Sequence, residues 1–267
     1  MKKPLRAQAV EYLQYLKEQG VTHVPSSGKK FAKKSAPPPA VQPAPAPAKP
    51  AAPPAADRIR FAASSIAVKP AKSPAGGPDT LESLAAEIAA CQACALAPTR
   101  LHTVPGQGAL RPDIMFVGEG PGADEDEQGL AFVGRAGQLL TKMIAAMGYT
   151  REQVFIGNIV KCRPPGNRVP TPDEMAGCIP YLKRQIAVIR PQLIVCLGAT
   201  AARGLVQETM PIGKARGQWR EFEGIPVMLT FHPAYLLRDP RKKTETWADL
   251  KTVLARLGKT PPAAPKT

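Results

Sequence analysis

Four cysteines carry the plainest chemical signal in this chain: Cys91 and Cys94 form a C-x2-C pair, and Cys162 and Cys178 form a C-x15-C pair far downstream. Thiolates bind soft metals, and four of them can close either a zinc site or an iron-sulfur cluster. The spacing alone leaves both open. Cys196 is different, because it lies inside the apolar run Leu193-Ile194-Val195-Cys196-Leu197, where a thiol packs as a small hydrophobe. A glycine-rich segment, Gly118-Glu119-Gly120-Pro121-Gly122, is followed by the acidic run Asp124-Glu125-Asp126-Glu127 and then by Phe132-Val133-Gly134-Arg135-Ala136-Gly137. Glycines at such a place let backbone N–H groups approach a bound group closely. No Gly-Lys-Ser/Thr follows and no G-x-G-x-x-G spacing is present, so nucleotide-cradling loops are disfavoured. Asn158 offers a donor and an acceptor side by side, the pattern that reads one edge of a nucleobase. His232, one of three histidines, precedes Pro233 where an apolar run ends.

The elements that must position these residues begin near Asp79. Leu81, Leu84, Ile88 and Ala89 make a helical face that delivers Cys91. Four apolar runs follow, at 113–118, 154–160, 192–197 and 225–231, separated by helical stretches. Buried strands alternating with helices predict an α/β fold with a parallel sheet covered on both faces. In such sheets a ligand sits beyond the carboxyl ends of the strands, where the glycine segment, Asn158 and His232 all fall.

The first 78 residues are of another kind. They hold 14 of the 31 prolines, and 13 Lys and Arg against 3 Asp and Glu give them +10 of the chain's +15. Such a stretch cannot bury a core and is expected to be a disordered, basic extension, with a short helix over 5–19 from Leu5, Ala9, Tyr12, Leu13 and Leu16. It suits an electrostatic arm that holds nucleic acid loosely, or a solvated linker. The folded domain is expected over 79–258 and a loose tail over 259–267. No run approaches the length of a membrane span and no signal-peptide core is present, so the expected location is the cytoplasm, whose reducing conditions suit metal-binding thiols.

The four cysteines in order, G-E-G-P-G with F-V-G-R-A-G, N-I-V-K-C-R-P-P-G-N-R and H-P-A-Y-L-L-R together resemble the family 4 uracil-DNA glycosylases, over about residues 80–258. The resemblance implies a 4Fe-4S cluster on Cys91, Cys94, Cys162 and Cys178. It implies a three-layer α/β/α sandwich around a four-stranded parallel sheet. It also implies uracil-containing DNA, single- or double-stranded, as the partner of a monomer, and hydrolysis of the N-glycosidic bond to free uracil and an abasic site.

A base cleaved this way must leave the stack and be held by stacking and by hydrogen bonds to its edge. On that reading Phe132 stacks on uracil, Asn158 binds its O4 and N3–H, and His232 donates to O2 beside the Gly120 N–H. Gly120 stands where the best-known branch of the superfamily has an aspartate, so Glu119 or Glu125 becomes the candidate to position water or stabilise the cationic sugar. Leu236 and Leu237 are candidate wedges for the gap left by the base, with Arg238 on a phosphate. Arg135, Lys161, Arg163, Asn167, Arg168, Lys214 and Arg216 are candidate DNA contacts. Ala234 replaces a serine usual after His-Pro, and the 213–218 loop lacks the histidine through which a related branch traps its product, so turnover is expected. The rival reading is a non-catalytic iron-sulfur module that binds single-stranded DNA and recruits a partner.

Overall fold

The structure is a computed structural model that describes residues 79–262. The extension through residue 78, the helix expected over 5–19 and residues 263–267 lie outside the described residues. Six strands form one sheet: β1 (Gln107–Gly108), β2 (Ile114–Gly118), β3 (Phe155–Asn158), β4 (Leu193–Leu197), β5 (Trp219–Phe222) and β6 (Ile225–Thr230), ordered β1-β3-β2-β4-β6-β5. The inner four are parallel, at the four predicted apolar runs.

The expected sheet of four strands is corrected to six, with β1 and β5 added antiparallel at the two edges. Neither edge strand is an apolar run. β1 has two residues, and β5 reads Trp-Arg-Glu-Phe with three of its four positions only partly buried or exposed. β5 and β6 are joined by Glu223-Gly224, both at positive φ (49° and 82°), a tight hairpin whose twist matches its strands.

Alternation along each inner strand divides the core in two. Phe116, Val195, Leu197 and Met228 share one face with Leu140 and Ile144 of α3 (Arg135–Ala146) and Leu250 and Val253 of α8 (Lys243–Arg256). Met115, Val117, Cys196 and Leu229 share the other with Ile88 of α1 (Leu81–Ala90), Leu182 and Ile186 of α4 (Pro172–Ile189) and Leu205 of α5 (Ala199–Val206). This is a three-layer α/β/α sandwich. The remaining helices are α2 (Ala123–Gln128), α6 (Ile212–Ala215) and α7 (Pro233–Arg238).

Local signals set the helices that carry cysteines. Thr80 caps α1 through its hydroxyl, which accepts the Ser83 N–H at 3.1 Å, and Leu84 and Ile88 form the buried face. Ala89, predicted on that face, is exposed. Thr171 caps α4 ahead of Pro172, and Glu174 returns its carboxylate to the Thr171 N–H at 2.8 Å. Arg184 then grips both Asp79 and Glu87, tying α4 to α1. At the other end, Lys259 Nζ donates to Asp113 Oδ2 at 2.6 Å and to Tyr149 at 2.9 Å.

In the order β3-β2-β4-β6 the chain turns one way after β2 and the other way after β4. The carboxyl ends therefore open at a topological switch point between them. Gly118, Asn158, Gly198 and His232 all follow or close strands there.

Candidate active site

Gly118 closes β2 and Asn158 closes β3, paired in register. A Cβ on Gly118 would lie 2.5 Å from Phe132 Cζ and 2.5 Å from Asn158 Oδ1, so only glycine lets the ring and the carboxamide meet over that strand end. Asn158 is 1% exposed, and its Oδ1 is buried with no hydrogen-bond partner in the structure. An unpaired buried acceptor costs about 1–3 kcal/mol. Its natural complement is an N–H brought in by a ligand.

Phe132 has a φ of 55°, a left-handed conformation that is strained for an aromatic residue. Two features hold it there. Gly137 lets the first turn of α3 approach, since a Cβ would fall 1.9 Å from the Phe132 carbonyl oxygen. Glu125 accepts three backbone N–H groups: Gly122 at 3.0 Å, Val133 at 2.9 Å and Gly134 at 2.9 Å. Both carboxylate oxygens of Glu125 are thus committed to stitching the glycine segment to the Phe132 loop. A carboxylate offers about four lone-pair sites, so these three N–H groups leave Oε2 able to accept one further donor.

Glu119 is placed otherwise. It is half-buried and its Oε2 accepts the hydroxyl of Thr200, in the first turn of α5. Thr200 was not picked out in the sequence, where Gly-Ala-Thr after an apolar run reads as a helix start. Gly120, the next residue, lies against Val160, where a Cβ would be 2.7 Å from Cγ2.

His232 is the N-cap of α7, and its Nδ1 accepts the Ala234 N–H at 3.1 Å. That contact assigns the proton to Nε2, leaving Nε2–H as a donor. Burial, then the nearby Arg238 charge, pushes its pKa down to about 4. The imidazole is therefore neutral through the physiological range. Its ring centre lies 5.7 Å from that of Phe132, tilted by 34°, and Gly198 beneath it at φ 91° leaves 3.0 Å for a Cβ. Ala234, noted for its lost hydroxyl, contributes through its backbone.

Cys91, Cys94, Cys162 and Cys178 border one cavity, with Ile88, Arg100, Lys161 and Tyr181. Among the described residues no three His, Cys, Asp or Glu side chains converge on a single ion. The thiols instead ring a space, and three accept hydrogen bonds: Cys91 from the Ala93 N–H at 3.4 Å, Cys162 from Arg100 Nη1 at 3.5 Å, and Cys178 from the Lys161 N–H at 3.2 Å. N–H donors of this kind support thiolate ligands. The donor set fits an iron-sulfur cluster. Cys196 is fully buried in the core, as expected.

The candidate DNA contacts separate into three groups. Arg135 and Arg238 are exposed near the site, and Leu237 is 37% exposed while Leu236, the other candidate wedge, is 1% exposed and belongs to the core. Arg163 donates to Asn167 Oδ1 at 2.7 Å, and Arg168 forms a two-pronged pair with buried Glu174, so this loop is pre-shaped by its own side chains. Lys161 and Arg216 are corrected: Lys161 is 1% exposed, and Arg216 is held by Asp249 and Glu245. Lys214 remains exposed.

The sequence model of the uracil DNA glycosylase superfamily matches residues 105–251, which span all the strand ends just described. The chain is 42% identical over 192 residues to the type-4 uracil-DNA glycosylase of Archaeoglobus fulgidus, covering 69% of this chain and 96% of that protein. It belongs to the type-4 uracil-DNA glycosylases. The Thermotoga maritima type-4 protein is 47% identical over 163 residues, 60% of this chain and 85% of its own length. A type-5 uracil-DNA glycosylase of Pyrobaculum aerophilum is 30% identical over 165 residues, 55% and 73% of the two chains.

Proposed function

We propose that the chain is a DNA repair hydrolase that cleaves the N-glycosidic bond of deoxyuridine in DNA. The observation that carries this is the buried, unpartnered Oδ1 of Asn158 beside Phe132 and His232. Gln107 and Gln185 also bury an unpartnered oxygen, but that of Asn158 stands with an aromatic ring and a neutral imidazole at the strand ends, an arrangement suited to a planar base with an N–H edge. A base out of the stack would lie on Phe132, with N3–H donated to Asn158 Oδ1 and O4 receiving the amide.

As the C1′–N1 bond breaks, its electron pair passes to the uracil ring and the sugar becomes cationic. Neutral His232, through Nε2–H, and the Gly120 N–H would stabilise the charge growing on O2. Water then adds to C1′, and the proton it gives up neutralises the uracil anion, leaving free uracil and an abasic sugar. Glu119, oriented by Thr200, is the carboxylate assigned to the cationic sugar, while Glu125 braces the glycine segment against the Phe132 loop. Phosphates would be held by Arg135, Arg163, Asn167, Arg168 and Arg238, with Leu237 entering the gap.

Cys91, Cys94, Cys162 and Cys178 would hold a 4Fe-4S cluster whose chemistry here is structural: it joins α1 to the 162–178 segment and presents the Arg163–Arg168 loop. The chain is read as a monomer working in a reducing cytoplasm. Anaerobically purified protein should release uracil from a labelled uracil oligonucleotide, with mild alkali then breaking the strand only at that position and leaving a thymine control intact. Binding without breakage, with iron and sulfide present, would move the assignment to a strand-binding module.

A further inference from the structure

Lys161 lies between the base-reading residue and the cysteine cavity, and its side chain points away from solvent. It is 1% exposed. Burying an ammonium is costly unless it is well paired, and among the described residues the one hydrogen-bond acceptor of Nζ is the Asn158 carbonyl, at 2.9 Å. That carbonyl belongs to the residue of the last register pair between β2 and β3, Gly118 with Asn158, past which the Ile159 and Val160 N–H groups still donate to the Gly118 and Glu119 carbonyls. The main chain of Lys161 is tied on both sides: its N–H donates to Cys178 Sγ at 3.2 Å and its C=O accepts the Val104 N–H at 2.8 Å. A methionine of similar length could fill the same space without the desolvation cost.

We propose that Lys161 is a positioning residue for base recognition, its Nζ fixing the Asn158 backbone so that the carboxamide faces the uracil edge, from a main chain anchored to the cluster ligand Cys178. The inference rests on the assignment of Asn158 to uracil. It gives the cysteine centre a second task, since whatever loosens Cys178 also loosens the group holding Asn158.

The test is Lys161→Met in the full-length, cluster-bearing protein, with iron content and visible absorbance as checks on loading. The dissociation constant for free uracil should rise about tenfold, the size expected for losing a charge-assisted hydrogen bond. KM for a uracil oligonucleotide should rise with it while kcat changes little, because the contact serves substrate and transition state alike. Lys161→Gln, which keeps a terminal N–H donor, should restore part of the affinity, and it carries the same measurements if the methionine variant does not accumulate. In an Asn158→Ala background, Lys161→Met should cost no further kcat/KM. A loss of equal size in both backgrounds, or an unchanged uracil affinity in Lys161→Met and Lys161→Gln, overturns the inference. Full uracil affinity in Asn158→Ala would instead overturn the assignment of Asn158 itself.

Discussion

The two ends of the same sheet treat polar groups in opposite ways. At the amino end, Asp113 precedes β2 and its carboxylate accepts from Tyr149 at 2.8 Å, Lys259 at 2.6 Å and Gln192 at 2.5 Å. Both oxygens of that carboxylate are used. At the carboxyl end, Asn158 keeps a buried oxygen without a partner, Phe132 is held at positive φ, and the neutral His232 keeps its outer nitrogen for donation. One end stabilises the fold and the other spends stability to hold groups ready for a ligand. Buried unpartnered oxygens also occur at Gln107 and Gln185, and positive φ at Arg111 and Arg190; what marks the carboxyl end is that such an oxygen, an aromatic ring held at positive φ and a neutral imidazole stand together there.

The comparison is broken most directly by removing the groups at the carboxyl end. Asn158→Ala and His232→Ala should each lower kcat/KM on a uracil oligonucleotide by on the order of 10²–10³, with Asn158→Ala losing no thermal stability because an unpaired buried acceptor goes with it. A stability loss as large as that of a core truncation would show that Asn158 is an ordinary structural amide. Gly118→Ala should lower kcat/KM by about 10², since its Cβ would displace both Phe132 and Asn158. Near-native turnover would mean that neither group needs its observed place.

A third prediction uses pH. His232 is held neutral with its pKa down at about 4 by burial. An unfolded histidine takes up a proton near pH 6.5, whereas the folded one resists until about 4, so the folded state loses stability as pH falls through that window. The unfolding free energy from urea titration should drop between pH 7 and pH 4.5, by on the order of 2 kcal/mol, and this slope should flatten in His232→Ala. Glycosylase activity should persist down to the lower edge of the window and then fall. An unchanged slope in the variant would place the titration elsewhere.

The smallest effect on catalysis belongs to the amino end. Asp113→Ala should cost about 1–3 kcal/mol in urea unfolding while leaving kcat/KM within a factor of about 2. A large catalytic loss with this variant would erase the division between the two ends.

Much of this was legible along the chain, because it depends on local pattern. Apolar runs located the four inner strands, and the spacing of Leu81, Leu84 and Ile88 marked the helix that delivers Cys91. Residues standing directly after strands, Gly118 and Asn158 and His232, fell at the carboxyl end once the strands were parallel. The edge strands were not legible, since β1 is too short and β5 too charged to show a period.

What only the tertiary structure decided is the partner of each polar group. Glu119 and Glu125 are alike in sequence, yet one meets Thr200 and the other braces three backbone N–H groups. Leu236 and Leu237 are neighbours, yet helical rotation buries the first and exposes the second. Lys161 looked like one more basic residue of an Arg-rich loop and proved to be buried against Asn158. Strand and helix patterns are written in residues a few positions apart, whereas hydrogen-bond partners are drawn from segments brought together by packing. The sequence therefore determined which residues stand at the strand ends, and the fold determined which of them remain free to act.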